Sequence, residues 1–151
     1  MKMLVCVDGS KHSQKALNQA IEMATGCGIN EVSLIHVDEA HDSSEFLTSE
    51  EIIYPTEENI KRVQKINKKR LANRKKMMEE ASAKFKEHGI DVDTVIEKGH
   101  PSDIITKTAN EGNYDMVIMG SRGLSGLKKI FLGSVSNAVI QETKASVLVV
   151  K

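Results

Sequence analysis

Five short, largely apolar runs set the tightest limit on how this chain can fold. They occupy residues 3–7, 31–37, 92–96, 116–119 and 146–150. A strand with one wet face alternates apolar and polar side chains. A strand covered on both faces reads instead as a continuous apolar run, as Met3-Leu4-Val5-Cys6-Val7 and Met116-Val117-Ile118-Met119 do. Between the first two runs, Ala16, Leu17, Ala20, Ile21 and Ala24 recur at helical spacing, with Ser10 placed to cap the helix and Gly26 and Gly28 to close it. Two strands joined by one helix imply parallel pairing through a right-handed crossover.

The rest of the chain repeats that unit. Pro55-Thr56-Glu57-Glu58 opens a long helix with acids in its first turn. Its expected buried stripe is Ile60, Val63, Ile66, Met77, Met78, Ala81 and Phe85, and Gly89 stops it. Pro101 and Asp103 suit the start of another helix, whose inner face is Ile104, Ile105 and Ala109 and which ends at Gly112. A last helix covers residues 135–142. The order is β-α-β-α-β-α-β-α-β over residues 1–151: one α/β domain with a mostly parallel, five-stranded sheet. Residues 38–56 fit no element. They are acidic, contain no Lys or Arg, and read as an irregular connection.

One stretch carries chemistry. The fourth run leads into Gly120-Ser121-Arg122-Gly123, and Gly133-Ser134 stands at the start of the last helix. Glycines let backbone N–H groups approach a ligand closely, and a helix N-terminus adds unpaired donors and partial positive charge. The arrangement reads as a phosphate cradle, or as a loop that simply needs flexibility. Its place past the carboxyl end of a strand favours the cradle, since open α/β sheets bind ligands there. No Gly-Lys-Ser/Thr follows at Walker A spacing, and no Gly-x-Gly-x-x-Gly follows the first strand, so neither common nucleotide fingerprint applies. Asp8 ends the first run. It can accept from ribose hydroxyls, help hold a divalent metal on phosphates, or shape the turn into the first helix. Arg122 reads as a phosphate-neutralising cation or a solvated loop arginine, and its position favours the first. Lys128 and Lys129, in the same loop, read as solvent or lid residues.

Other features exclude more than they assign. Lys plus Arg and Asp plus Glu both number 21, so no global charge draws the chain to nucleic acid or membrane. No apolar run approaches the roughly 20 residues that span a bilayer, and the first run is too short for a signal peptide. Cys6 and Cys27 lack metal spacing and read as small core residues in a reduced, cytoplasmic setting. His36 reads as a satisfied core histidine, while His12, His41, His88 and His100 form no metal spacing. Residues 61–76 contain nine Lys or Arg and no acid. Without an interleaved aromatic residue for base stacking, they read as a solvated helix face, pairing with the acidic segment or with a partner. Residues 147–150 read as an apolar edge strand, an association hazard unless covered.

The spacing Gly120-x2-Gly123-x9-Gly133-Ser134 matches the ATP-binding motif of the universal stress protein family without a mismatch. The Val5-Cys6-Val7-Asp8-Gly9-Ser10 opening, the His36-Val37 strand end and the terminal Val147-Leu148-Val149-Val150 also resemble that family, over essentially the whole chain. The resemblance implies a doubly wound, Rossmann-like domain with strand order 3-2-1-4-5 and helices on both faces. It implies membership of the ATP-binding subclass, with Mg2+ or Mn2+ accompanying ATP. Asp8 then lies near the ribose and metal, Cys6 and Val7 line the same strand end, and the backbone of Val37 reads adenine. Met119, Gly120, Arg122 and Gly123 form the ribose and phosphate loop, and Gly133, Ser134, Val135 and Ser136 hold the phosphates. Some ATP-binding relatives carry proline and threonine where this chain has Cys6 and Val7, so a contact at residue 7 is through the backbone. Pairing of the terminal strand with its mate, as in family members, implies a homodimer with C2 symmetry.

Catalysis has less support. No Ser/His/Asp or Cys/His arrangement is evident, and phosphoryl transfer needs a residue to position water or base. The expected role is a nucleotide-dependent stress-response switch acting on a regulatory protein partner. The alternatives are a slow ATPase of the same fold and an interaction module that binds no nucleotide.

Overall fold

The first run becomes β1 (Met3–Cys6), and α1 (Lys11–Cys27) returns the chain to β2 (Glu31–Asp38). A short α2 (Ser49–Ile53) precedes α3 (Glu57–Lys86), followed by β3 (Asp91–Lys98), α4 (Pro101–Glu111), β4 (Met116–Gly120), α5 (Ser134–Glu142) and β5 (Ser146–Val150). This computed structural model describes residues 1–29, 31–39, 47–123 and 132–151. All strand pairs are parallel, in the order β3-β2-β1-β4-β5. The chain winds outward from β1 to β3, then crosses back to build β4 and β5 on the other side. The C-terminal ends of β1 and β4 therefore meet where the winding reverses.

Side-chain alternation in the strands divides the core into two layers. Met3 and Val5 of β1 join Leu17 of α1, Leu34 of β2 and Phe85 of α3 on one face. Leu4 joins Ile35, Ile105 of α4, Val117 and Val139 of α5 on the other. Helices thus cover both faces, and that is why the strands lack polar alternation.

Local chemistry sets the helix ends. Ser10 caps α1, its Oγ accepting from the N–H of Ser13 at 3.1 Å. Gly28 closes α1 at φ +66°, a left-handed position that glycine takes without a Cβ clash. Thr56 caps α3 in the same way as Ser10 caps α1.

Four sequence expectations need correction. Part of the segment read as irregular is helical. Thr48 and Glu51 form a reciprocal capping box that nucleates α2, and its hydrogen bonds hold the Glu51 carboxyl below the usual range. β2 extends to Asp38, where its ladder with β3 ends at Lys98. Ile60 is exposed, because the stripe that turns inward at that end of α3 is Val63 and Ile66. Cys27 is exposed at the end of α1, so only Cys6 behaves as an interior thiol.

Candidate functional site

The sheet's carboxyl edge opens into a cleft of about 680 Å3, within the range of small-molecule sites. β1 brings Cys6, Val7 and Asp8 to its floor, and β2 brings Val37. β4 and the turn after it bring Met119, Gly120, Arg122 and Gly123, and the first turn of α5 brings Gly133, Ser134, Val135 and Ser136. Every site residue named from the sequence therefore lines this one cleft. Lys128, Lys129 and His41 lie outside the described residues.

Asp8 has two jobs. Its Oδ1 accepts from the N–H of Ser10 at 2.8 Å, which shapes the turn through Gly9 at φ +81°. Its Oδ2 faces the glycine loop, 3.1 Å from where a Cβ on Gly123 would stand. The glycines differ in purpose. A Cβ on Gly120 would meet the backbone of His12 and Ser13 at 2.8–2.9 Å, so Gly120 lets the first turn of α1 pack against β4. Gly123 keeps space open beside the carboxylate. Gly133 is the N-cap of α5 and brings no side-chain cap, which leaves first-turn amides without that partner. A bond from the N–H of Gly133 to the Ser121 carbonyl, at 2.7 Å, and one from the N–H of Ser121 to Val150, also at 2.7 Å, hold this helix start against the end of β4.

An anion at α5 would meet backbone donors and a favourable helix dipole, with Arg122 in the same wall. The opposite end, near β2, lies two strand spacings from β4, about 10 Å. Val37, Ile35 and Ile105 give that end an apolar patch, bordered by polar side chains of β2 and α3. The cleft thus suits a ligand with an anionic end and a flat, less polar one. Among the described residues no group of three or more His, Cys, Asp and Glu could cage a metal by itself. Asp8 alone fits Mg2+, which is often held by one carboxylate together with substrate phosphates.

His36 is half-buried, with Nδ1 2.7 Å from the Val7 carbonyl. A carbonyl only accepts, so Nδ1 carries the proton and ties the end of β2 to β1. It also lines the cleft, which its reading as a core residue did not include. The larger omission is α3. Arg70, Asn73, Arg74 and Met77 line the cleft's remaining side. Their spacing of three, one and three residues marks a single helical face, a signal present in the sequence but hidden within a uniformly basic run. Among the described residues, the expected pairing of that run with the acidic segment includes Arg74 with Asp38 and Arg62 with Glu51 at 2.9 Å.

Cys6 sits at the cleft floor, where burial, and then the neighbouring Asp8 charge, push its thiol up to about 12. A raised thiol leaves little reactive thiolate, so a disulfide-exchange reagent at pH 8 should titrate the exposed Cys27 fast and the half-buried Cys6 much more slowly. Two fast thiols in the native protein would contradict the burial.

Comparison with known proteins agrees with this fold. The model of the universal stress protein family matches residues 1–151. Universal stress protein YxiE of Bacillus subtilis is 38% identical over 151 residues, covering 99% of this chain and 98% of that protein. The structure of MJ0577, a universal stress protein of Methanocaldococcus jannaschii, superposes with a TM-score of 0.75 at 30% identity, covering 99% of this chain and 94% of that one. A universal stress protein family member from Arabidopsis thaliana, solved with AMP bound, superposes at 0.68 with 21% identity, over 100% of this chain and 91% of its own.

Proposed function

The chain belongs to the universal stress protein family, and on that premise we propose that it is an ATP-binding regulatory protein of the stress response. Residues 1–151 act as one domain, and the nucleotide state changes conformation or partner affinity. The observation that carries this reading is the convergence of the glycine motif, Asp8 and Val37 on one cleft from four separate elements and the turns beside them. Phosphates lie against the first turn of α5 and the Gly120–Gly123 turn, and ribose lies near Asp8. Adenine lies against Val37, whose extended backbone offers a donor and an acceptor. Mg2+ or Mn2+ joins Asp8 to the phosphates and neutralises their charge. The fold's capacity for an adenine nucleotide is supported by the Arabidopsis relative with AMP, and the choice of ATP by the motif of this chain.

Asp8 is assigned to ribose and metal in this reading, and the bound state itself is the signal. A switch of this kind requires different affinities for two conformations. The setting is cytoplasmic, in keeping with two unpaired cysteines. Calorimetric titration with ATP and Mg2+ tests the reading, together with mass analysis of nucleotide released by heating the purified protein. Saturable 1:1 binding is expected, with labelled ATP recovered intact after a single-turnover incubation. Failure to bind any adenine nucleotide would sink the proposal. Phosphate release abolished by Asp8→Ala would replace the switch with a slow hydrolase.

Besides the regulatory protein that the nucleotide state acts on, a second copy of the chain is a partner. β5 is an edge strand whose Val147–Val150 remain only half-buried, and pairing it with its mate across a twofold axis removes the edge. Light scattering at micromolar concentration should give the dimer mass, and a monomer there would refute this interface.

A further inference from the structure

α3 presents an anomaly that the glycine motif does not explain. A helix laid over a sheet turns an apolar stripe inward, and α3 does so at both ends, with Val63 and Ile66 half-buried and Met78, Ala81 and Phe85 buried. Between them the same face carries Arg70, Asn73 and Arg74, where the helix borders the cleft. The Arg74 and Asp38 side chains are only 20% and 14% exposed and form an ion pair. Such a pair recovers its desolvation cost only with good geometry and is a poor stabilising device. Met77 fixes the register beside it, its sulfur 3.0 Å from where a Cβ on Gly9 would stand.

We infer that Arg74 and Asn73 of α3 form the nucleoside-reading wall of the cleft, contacting the purine base of the bound nucleotide. This rests on the nucleotide reading above and adds residues that the glycine motif does not contain. Three observations fix the wall at the base end. Asp38, which holds Arg74, directly follows Val37 at the end of β2. β2 lies two strands from β4, whose end and α5 take the phosphates. The floor opposite the wall carries an apolar patch, with Val37 and Ile105. The chemistry matches a purine. A guanidinium is planar and stacks on an aromatic face, and one carboxylate leaves part of its five-donor fork unused. The Asn73 amide offers a donor and an acceptor side by side, the pattern a purine edge requires. Asp38 acts through Arg74 as a positioning residue, holding the guanidinium at one orientation.

The test is titration of wild type, Arg74→Ala and Asn73→Ala with ATP and, separately, with inorganic tripolyphosphate, which keeps only the anionic end. Each variant should weaken ATP about tenfold while changing tripolyphosphate less than about twofold. Arg74→Lys keeps the charge but not the plane, and should remain weakened for ATP. Asn73 is exposed and outside the core, so its variant folds even if loss of the ion pair disturbs α3. Equal losses for both ligands would place the wall on the phosphates and overturn the inference, as would wild-type ATP affinity in both alanine variants. If wild type binds tripolyphosphate but discriminates neither ATP from GTP nor either from tripolyphosphate, the wall is refuted while an anion site stands. If wild type binds neither ATP nor tripolyphosphate, the nucleotide reading itself has failed.

Discussion

Gly123→Val is expected to abolish ATP binding while leaving the protein folded. A Cβ at this position would stand 3.1 Å from Asp8 Oδ2, and the two methyl groups of valine extend further into the cleft. The substitution therefore acts on the space where ribose, metal and phosphate are proposed to meet. Gly123 is exposed and outside both core layers, so the stability change should stay within about 0.5 kcal/mol. Losing charge-assisted contacts to phosphate costs about 2–3 kcal/mol or more, roughly a hundredfold in affinity. Calorimetry should show no saturable heat at ATP concentrations that saturate wild type, with a melting temperature within about 2 °C. Retained affinity would mean that the ligand does not pass between Asp8 and the loop. Gly120 would be a poor choice for this experiment. A side chain there collides with the α1 backbone at 2.8 Å, and any loss of binding would follow from misfolding.

That contrast bears on what a glycine motif can say in advance. Gly120, Gly123 and Gly133 look alike in sequence, yet one admits a helix, one spares a carboxylate and one leaves a helix start without a side-chain cap. The strands were legible because burial on both faces leaves an unbroken apolar run, and parallel order then follows from the intervening helices. β3 is the weakest such run. Thr94 and Glu97 are tolerated there because β3 is an edge strand with several exposed positions. The cleft's floor was legible for a related reason: strand ends and helix starts meet there, and glycine, serine and aspartate mark both.

The cleft's side wall was harder to read. Nothing in the spacing of nine cations distinguishes Arg74, which turns inward to Asp38, from Lys75 and Lys76, which pair with Glu79 and Glu80 at the surface. The distinction depends on helix rotation, which the apolar residues on either side fix. Extending the stripe of Met77, Met78, Ala81 and Phe85 backward by threes and fours lands on Arg74 and Arg70. Likewise, α2 was announced by Thr48 and Glu51, but one capping box in an acidic stretch is a small signal against a helix of only five residues.

Phe85→Ala is expected to give the largest loss of stability and to weaken the site from a distance. Phe85 has no exposed surface and packs in the core layer that joins α3 to β1 and β2. Its carbonyl also accepts from the N–H of His88 at 2.9 Å and of Ile90 at 3.2 Å, where the chain turns into β3. Truncating such a side chain costs about 3–5 kcal/mol, set by how little the surroundings collapse. Against a total of about 5–15 kcal/mol for a domain of this size, most of the margin is at risk. The melting temperature should fall by roughly 6–20 °C, and a fall of under 2 °C would show that this end of α3 is not anchored as described. The same anchor sets the rotation that points Arg74 at the cleft. ATP at a hundred times its dissociation constant should stabilise wild type by about 2.7 kcal/mol. At that same concentration the variant should gain measurably less, because part of the binding energy goes into seating α3. An equal gain in both proteins would separate the anchor from the wall and leave the nucleotide held by the strand ends and α5 alone.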